Sequence, residues 1–370
     1  MISSYISAAV ACCYFIYWKQ ITSEGAVMGN SLYSYDKNNL HKVILDSWQQ
    51  ARDAWKSIDL PGIDKEKIDN IIVTGLGGSA ISGDVLKNFL NSELSIPLAV
   101  NRAYNLPHYA GKNTLVIVSS YSGNTEETIS AFKIALEKGC TLIAITTGGE
   151  IESLAIDNNV PVVKLQKGFQ PRYALYNSFF TLLRVMQELK FIASQEASVV
   201  NIIQSLKNLA GKWGSENGKA YKMAVSLKDF IPVIYSVADL NDSAGRRFKG
   251  QLNENSKVHA WAAEYPEMNH NEIVGWESVR ESGLKYKVIT IWDEEVYPRI
   301  SKREGIIKNL LEDEKIDILK IQGKGATFKE RLIETVYFCD WVSYYLALIN
   351  EEDPGEIDFI DKLKKMMAED

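Results

Sequence analysis

A strand that runs without a break into a hydroxyl-rich turn, and from there into an acidic helix start, constrains the fold of this chain more than any other feature. Thr114–Val118 has the composition of a buried strand, Ser119-Ser-Tyr-Ser-Gly123 turns the chain, and Thr125-Glu-Glu127 opens a helix. The unit recurs upstream, where Asn70–Thr74 leads into Gly75-Leu-Gly-Gly-Ser-Ala-Ile-Ser-Gly83 and another helical run. Further strands are predicted at 96–101, 141–146 and 160–165, with helices at 80–90 and 125–138. This alternation predicts an α/β fold with a parallel sheet and helices on both faces. A helical region from about Gln170 to Gly214 follows, and a second alternation predicts strands at 231–237, 258–262, 286–292 and 316–321. A polar helix is expected over 239–255, and long helices over 329–349 and 356–367 close the chain.

With 370 residues the chain exceeds the size at which a single core usually stops growing, so two domains are expected, at 29–205 and 206–370. The net charge of −6 gives no basic surface for nucleic acid. Cys12, Cys13, Cys140 and Cys339 form no CxxC pair, which fits a reducing, cytoplasmic compartment. Residues 1–28 stand apart. Their apolar run, Tyr5 to Trp18, is short for a membrane span and has no Lys or Arg before it, so no membrane partner is expected. We read it as an extension outside the fold, with Met28 as the functional start.

Two small-residue turns at neighbouring strand ends would share one crevice, where open α/β sheets bind ligands. Gly78, Ser79, Ser120, Ser122 and Thr125 would there offer backbone amides, hydroxyls and a helix N-terminus to an anion, best matched by a phosphate monoester. Taken alone, Thr125 with Glu127 and Thr128 is ordinary helix capping. The run Gly75-Leu-Gly-Gly-Ser-Ala80 also satisfies the dinucleotide pattern G-x-G-x-x-G/A. That pattern wants an acid at the end of the second strand, where this chain has Arg102, so an NADP-dependent oxidoreductase is the weaker alternative. The four histidines, His41, His108, His259 and His270, show no ligand spacing, so no metal or other cofactor is expected.

The paired segments 77–84 and 119–128 resemble the sugar isomerase (SIS) domain, a phosphosugar-binding α/β module. Gln170-Pro-Arg-Tyr-Ala174, Leu252-Asn-Glu-Asn-Ser-Lys257 and Pro266-Glu-Met-Asn-His-Asn-Glu-Ile-Val-Gly-Trp276 are similar to segments of the bifunctional phosphoglucose/phosphomannose isomerase family. So are Arg102–Pro107 and the ending between Asp340 and Lys364, and the resemblance runs from about residue 35 to the C-terminus. It implies two SIS domains and an aldose–ketose isomerase acting on hexose 6-phosphates through an enediol(ate). Glu254 would shuttle the proton between C1 and C2, and Arg172 would stabilise the enediolate. His270 would open the ring from the neighbouring subunit of a homodimer, with Lys364, or failing it Lys362, as its partner.

Each residue also has a plainer reading. Glu254 would be a solvated carboxylate, His270 a surface histidine, Arg172 a cap or ion-pair partner, and Lys364 part of a charged helix face beside Lys362 and Lys365. A non-enzymatic sugar-phosphate sensor would keep both turns without needing a base. Glucosamine 6-phosphate synthase would need an N-terminal cysteine nucleophile, and residue 2 is Ile and residue 29 Gly. Near Asp353-Pro354, where family members carry a Thr or Pro, this chain has Gly355-Glu-Ile357, which weakens the case for the mannose half of the activity.

Overall fold

The structure, a computed structural model, describes residues 32–370 except 57, 59, 61, 368 and 370, so the apolar run at 5–18 lies outside the described residues. The chain divides into residues 1–35, of which a 3-10 turn at Leu32–Tyr35 is described, and a compact unit, 36–370. The compact unit opens with α1 (Leu40–Leu45) and α2 (Ser47–Ala54). Sequence periodicity reads these as one helix, but the chain breaks at Asp46, whose carboxylate receives Lys42 and Gln49.

The first sheet contains β1 (Asn70–Thr74), β2 (Leu98–Asn101), β3 (Thr114–Ser120), β4 (Thr141–Thr146) and β5 (Val162–Lys164). Its strands are all parallel, in the order β2-β1-β3-β4-β5. The helices between them are α3 (Gly77–Phe89), α4 (Glu126–Glu137) and α5 (Gly149–Asp157). Every residue of β3 is buried, as expected of a strand covered on both faces. Alternate residues divide between those faces: Ile72, Val116, Val118 and Ala144 pack with Phe132 of α4 and Ile151 of α5 in one cluster. Strand order reverses at β1, which has β2 on one side and β3 on the other, so the ligand crevice of this sheet lies above the carboxyl ends of β1 and β3.

Three helices carry the chain to the second sheet: α6 (Leu175–Glu188), α7 (Glu196–Trp213) and α8 (Lys219–Leu227). The expected boundary at 205/206 falls inside α7. Next come β6 (Ile231–Val237), α9 (Asp242–Ser256), β7 (Trp261–Tyr265), α10 (Val279–Ser282), β8 (Tyr286–Ile291), α11 (Pro298–Asp313), β9 (Ile318–Ile321), α12 (Phe328–Ile349) and α13 (Asp358–Met367). This sheet is also parallel, in the order β7-β6-β8-β9, the same sequence of neighbours as the first four strands of the first sheet. Two parallel α/β sheets are thus present, and the duplicated topology is visible in strand order.

Two differences from the sequence reading have plain causes. Strand β7 starts three residues later than the apolar pattern suggests. Helix α9 persists to Ser256 and is ended by Lys257 in the left-handed region (φ 55°), and residues 258–260 are used in turning back, Val258 N–H onto Leu252 O. Helix α11 has no counterpart in the sequence reading because only Ile307 and Leu311 are buried in a largely charged helix. Helix α12 is long and apolar enough to cross a membrane, but 89% of its apolar window is buried inside the protein, so it acts as the spine of the core.

Candidate active site

The two expected turns meet at the carboxyl ends of β1 and β3. After β1 the chain passes Gly77 at φ +49° and starts α3. A Cβ on Gly78 would stand 2.4 Å from Pro171 O, so only glycine lets the Gln170–Ala174 segment rest on this turn. After β3, the Gly123 N–H donates to Ser120 Oγ (3.1 Å) and the Asn124 N–H to Ser122 Oγ (3.2 Å). The turns are joined directly, because Ser79 Oγ accepts the Tyr121 N–H at 3.2 Å.

Thr125 occupies the N-cap of α4 yet makes no side-chain capping bond; its hydroxyl pairs sideways with Ser120 Oγ at 3.2 Å. The simple capping reading therefore does not hold. An uncapped helix start, ringed by hydroxyls at a switch point, leaves first-turn amides for an external oxyanion.

The second part of the site comes from α9. Arg247, Gln251 and Glu254 lie at i, i+4 and i+7 and so share one face, which turns toward the start of α3. Together with Gly77, Gly78, Ile81, Arg102, Arg172 and Arg246 they line an open cavity of about 160 Å³. Arg172 is 5% exposed. Its Nε donates to Asn255 Oδ1 (2.8 Å) and its Nη2 to Pro354 O (2.6 Å), and Nε lies 3.7 Å from Glu254 Oε2. Its Nη1 makes no hydrogen bond among the described residues. Behind it, Arg247 Nη2 donates to Arg172 O at 3.0 Å and is held by Asp340.

Lys257 closes the end of α9, its ammonium donating to Glu254 O (3.1 Å), Asn255 O (3.2 Å) and Asp353 O (2.5 Å). Burial, with the nearby Arg172 charge, lowers the Lys257 pKa. On the opposite wall Arg102 is ion-paired with Asp84, and Arg246 lies 3.5 Å from the same carboxylate. Burial lifts the Asp84 carboxyl, and the two arginines pull it back. Four guanidinium groups and one carboxylate, Glu254, thus line the cavity. Arg102, Arg246 and Arg247 are paired with Asp84 or Asp340, and Arg172 is the cation beside Glu254, a setting suited to an anion formed during reaction.

Comparison with known proteins bears on this arrangement. Residues 65–180 match the SIS domain family and residues 216–367 match the family described as bacterial phospho-glucose isomerase C-terminal SIS domain. The bifunctional phosphoglucose/phosphomannose isomerase of Caldicellulosiruptor bescii is 37% identical over 87% of this chain and 96% of its own. The chain belongs to the bifunctional phosphoglucose/phosphomannose isomerase family. The member of this family from Aquifex aeolicus is 34% identical over 80% of this chain and 89% of its own. Among solved structures, the C-terminal domain of glucosamine-fructose-6-phosphate aminotransferase from Francisella tularensis has a TM-score of 0.64 at 14% identity, covering 89% of this chain and 100% of that one, a likeness of fold.

For this phosphoglucose/phosphomannose isomerase family member, the structure brings together Gly78, Arg172 and Glu254 in one cavity and joins Ser79, Ser120, Ser122 and Thr125 through the paired turns. It does not bring His270 or Lys364 into that lining. His270 is exposed on a 3-10 turn, Glu267–His270, beyond β7. Lys364 lies on α13, none of whose residues is buried, and Lys362 Nζ stands 5.6 Å from the Phe359 ring. Sequence reading missed Arg246, Arg247 and Gln251, and met Arg102 only in weighing the dinucleotide pattern and in a family-like segment. Their signal was available in the helical spacing that joins Arg247 and Gln251 to Glu254.

Proposed function

We propose that this chain is an aldose–ketose isomerase that interconverts glucose 6-phosphate, and mannose 6-phosphate, with fructose 6-phosphate. The observation that carries this reading is the Glu254 carboxylate 3.7 Å from buried Arg172, in one cavity with Gly77 and Gly78 of the first turn, which Ser79 joins to the second. In the proposed reaction the turns hold the phosphate dianion and Glu254 takes the proton from C2 of the open aldose. The resulting enediolate oxygen meets the Arg172 guanidinium, whose Nη1 makes no hydrogen bond among the described residues; the O2 hydroxyl proton passes to O1, and Glu254 returns the proton it took to C1. A sensor that only bound the sugar would have no use for a carboxylate and a cation so placed. A coupled assay with each hexose 6-phosphate, run with a chelator present, tests the reading: turnover is expected, and none with either sugar would overturn it.

Replacing both Ser122 and Thr125 by alanine is expected to raise KM about tenfold with a smaller change in kcat, because hydroxyls on a non-reacting phosphate bind ground and transition states alike. An unchanged KM would take these hydroxyls out of the phosphate site.

We further propose a cytoplasmic homodimer in which His270 opens the ring in the site of a second copy, with Lys364 as its partner. The exposure of His270, outside its own chain's cavity lining, supports this. Mixing Glu254→Gln and His270→Asn subunits, each nearly inactive alone, should then restore about a quarter of wild-type turnover, since half the dimers would be mixed and each would hold one intact site. Mixtures no more active than their components would place His270 in its own subunit's site or outside the mechanism.

A further inference from the structure

A second cavity lies away from the proposed catalytic residues. It has a volume of about 680 Å³, sits at the carboxyl end of β9 between α7, α8 and α12, and shares no lining residue with the Glu254 cavity. Its walls carry four lysines and one carboxylate: Lys212, Lys219, Lys320, Lys324 and Glu334. Two of these five charges are already committed. Glu334 is 6% exposed, with Oε2 accepting the N–H groups of Lys324 (2.6 Å) and Gly325 (2.9 Å) and Oε1 taking the Ser205 hydroxyl. Lys320 Nζ lies 4.5 Å from the Trp292 ring and 4.0 Å from Glu304.

Lys212, Lys219 and Lys324 have no carboxylate within ion-pair reach among the described residues, and all three are exposed. Three uncompensated cations around one concavity, in a chain of net charge −6, form a local anion site. Lys219 is also the first residue of the nine-residue helix α8, whose positive end adds to the same field. The remaining wall is apolar and aromatic. Trp213 and Phe338 meet edge to face with centroids 5.2 Å apart, and Leu209 and Met223 stand beside them.

We propose that this cavity binds a nucleoside phosphate, its phosphate on Lys212, Lys219 and Lys324 and its base against Trp213 and Phe338. Size agrees, since cavities for ligands with a ring and a phosphate span about 300–1,000 Å³ and a bare anion would leave most of this one empty. A direct link to the Glu254 cavity exists: α12 carries Glu334 and Phe338 in this cavity and, two residues on, Asp340, which holds Arg247 behind Arg172.

The test is calorimetric titration of the full chain with AMP, ADP and inorganic phosphate, with saturating fructose 6-phosphate present to keep the catalytic crevice filled. AMP or ADP is expected to bind with Kd of about 1–100 μM. Affinity should be kept in Ser122→Ala/Thr125→Ala and fall at least about tenfold in Lys212→Ala/Lys324→Ala, which removes two exposed charges. Lack of nucleotide binding up to about 1 mM, or unaltered affinity in the double-lysine variant, would overturn the proposal. Inorganic phosphate binding as tightly as AMP would also overturn it, because the aromatic wall would then contribute nothing.

Discussion

Replacing Glu254 by glutamine is expected to lower kcat by about 10²-fold or more while leaving sugar phosphate affinity nearly intact. Glutamine keeps the length and planarity of the side chain but cannot accept a proton from carbon at neutral pH. The proposed phosphate contacts lie on the two βα turns and would remain unaltered, so the loss should appear in kcat, with KM close to wild type. Fold is not at stake, since the Glu254 side chain is 36% exposed and its closest cation is 3.7 Å away. Single-turnover measurement with C2-deuterated glucose 6-phosphate separates chemistry from release. Wild-type kcat in Glu254→Gln would remove this residue from proton transfer and assign the base to another side chain.

Asp340→Ala should have the largest effect on stability. Asp340 receives Arg247 Nε at 2.9 Å and Nη2 at 3.1 Å, both side chains being under 5% exposed, and it also accepts from Gln251 Nε2 and the Tyr176 hydroxyl. Truncation would strand a buried guanidinium charge and leave two further donors without partners. A loss of about 3–5 kcal/mol is expected, read as a lower denaturation midpoint. The double variant Arg247→Met/Asp340→Leu should recover most of that loss, since it removes the stranded charge and fills the space. A midpoint for Asp340→Ala equal to wild type would show that water reaches Arg247 and that the network is not sealed.

Much of the fold is legible in the sequence because strands buried on both faces must be continuously apolar: β1, β4 and β6 fall on the residues expected of them. Elements that bury little are harder to read, as α11 shows. The two βα turns were legible as small and hydroxyl residues at strand ends. Whether Thr125 caps its helix was not, because that depends on which neighbour its hydroxyl meets in space. Arg247 and Asp340 are 93 positions apart, and nothing local marks either as the other's counter-ion. His270 and Lys364 are a different matter: the surfaces that carry them are exposed in a single chain.

Asn255 follows Glu254 directly and its amide oxygen anchors Arg172. One peptide unit therefore links the proposed proton acceptor to the anchor of the proposed charge stabiliser. On the proposed mechanism the pair would act as a single jig, and alignment during turnover would fall to the sugar, which would rotate its C1–C2 edge into a gauge that is already set.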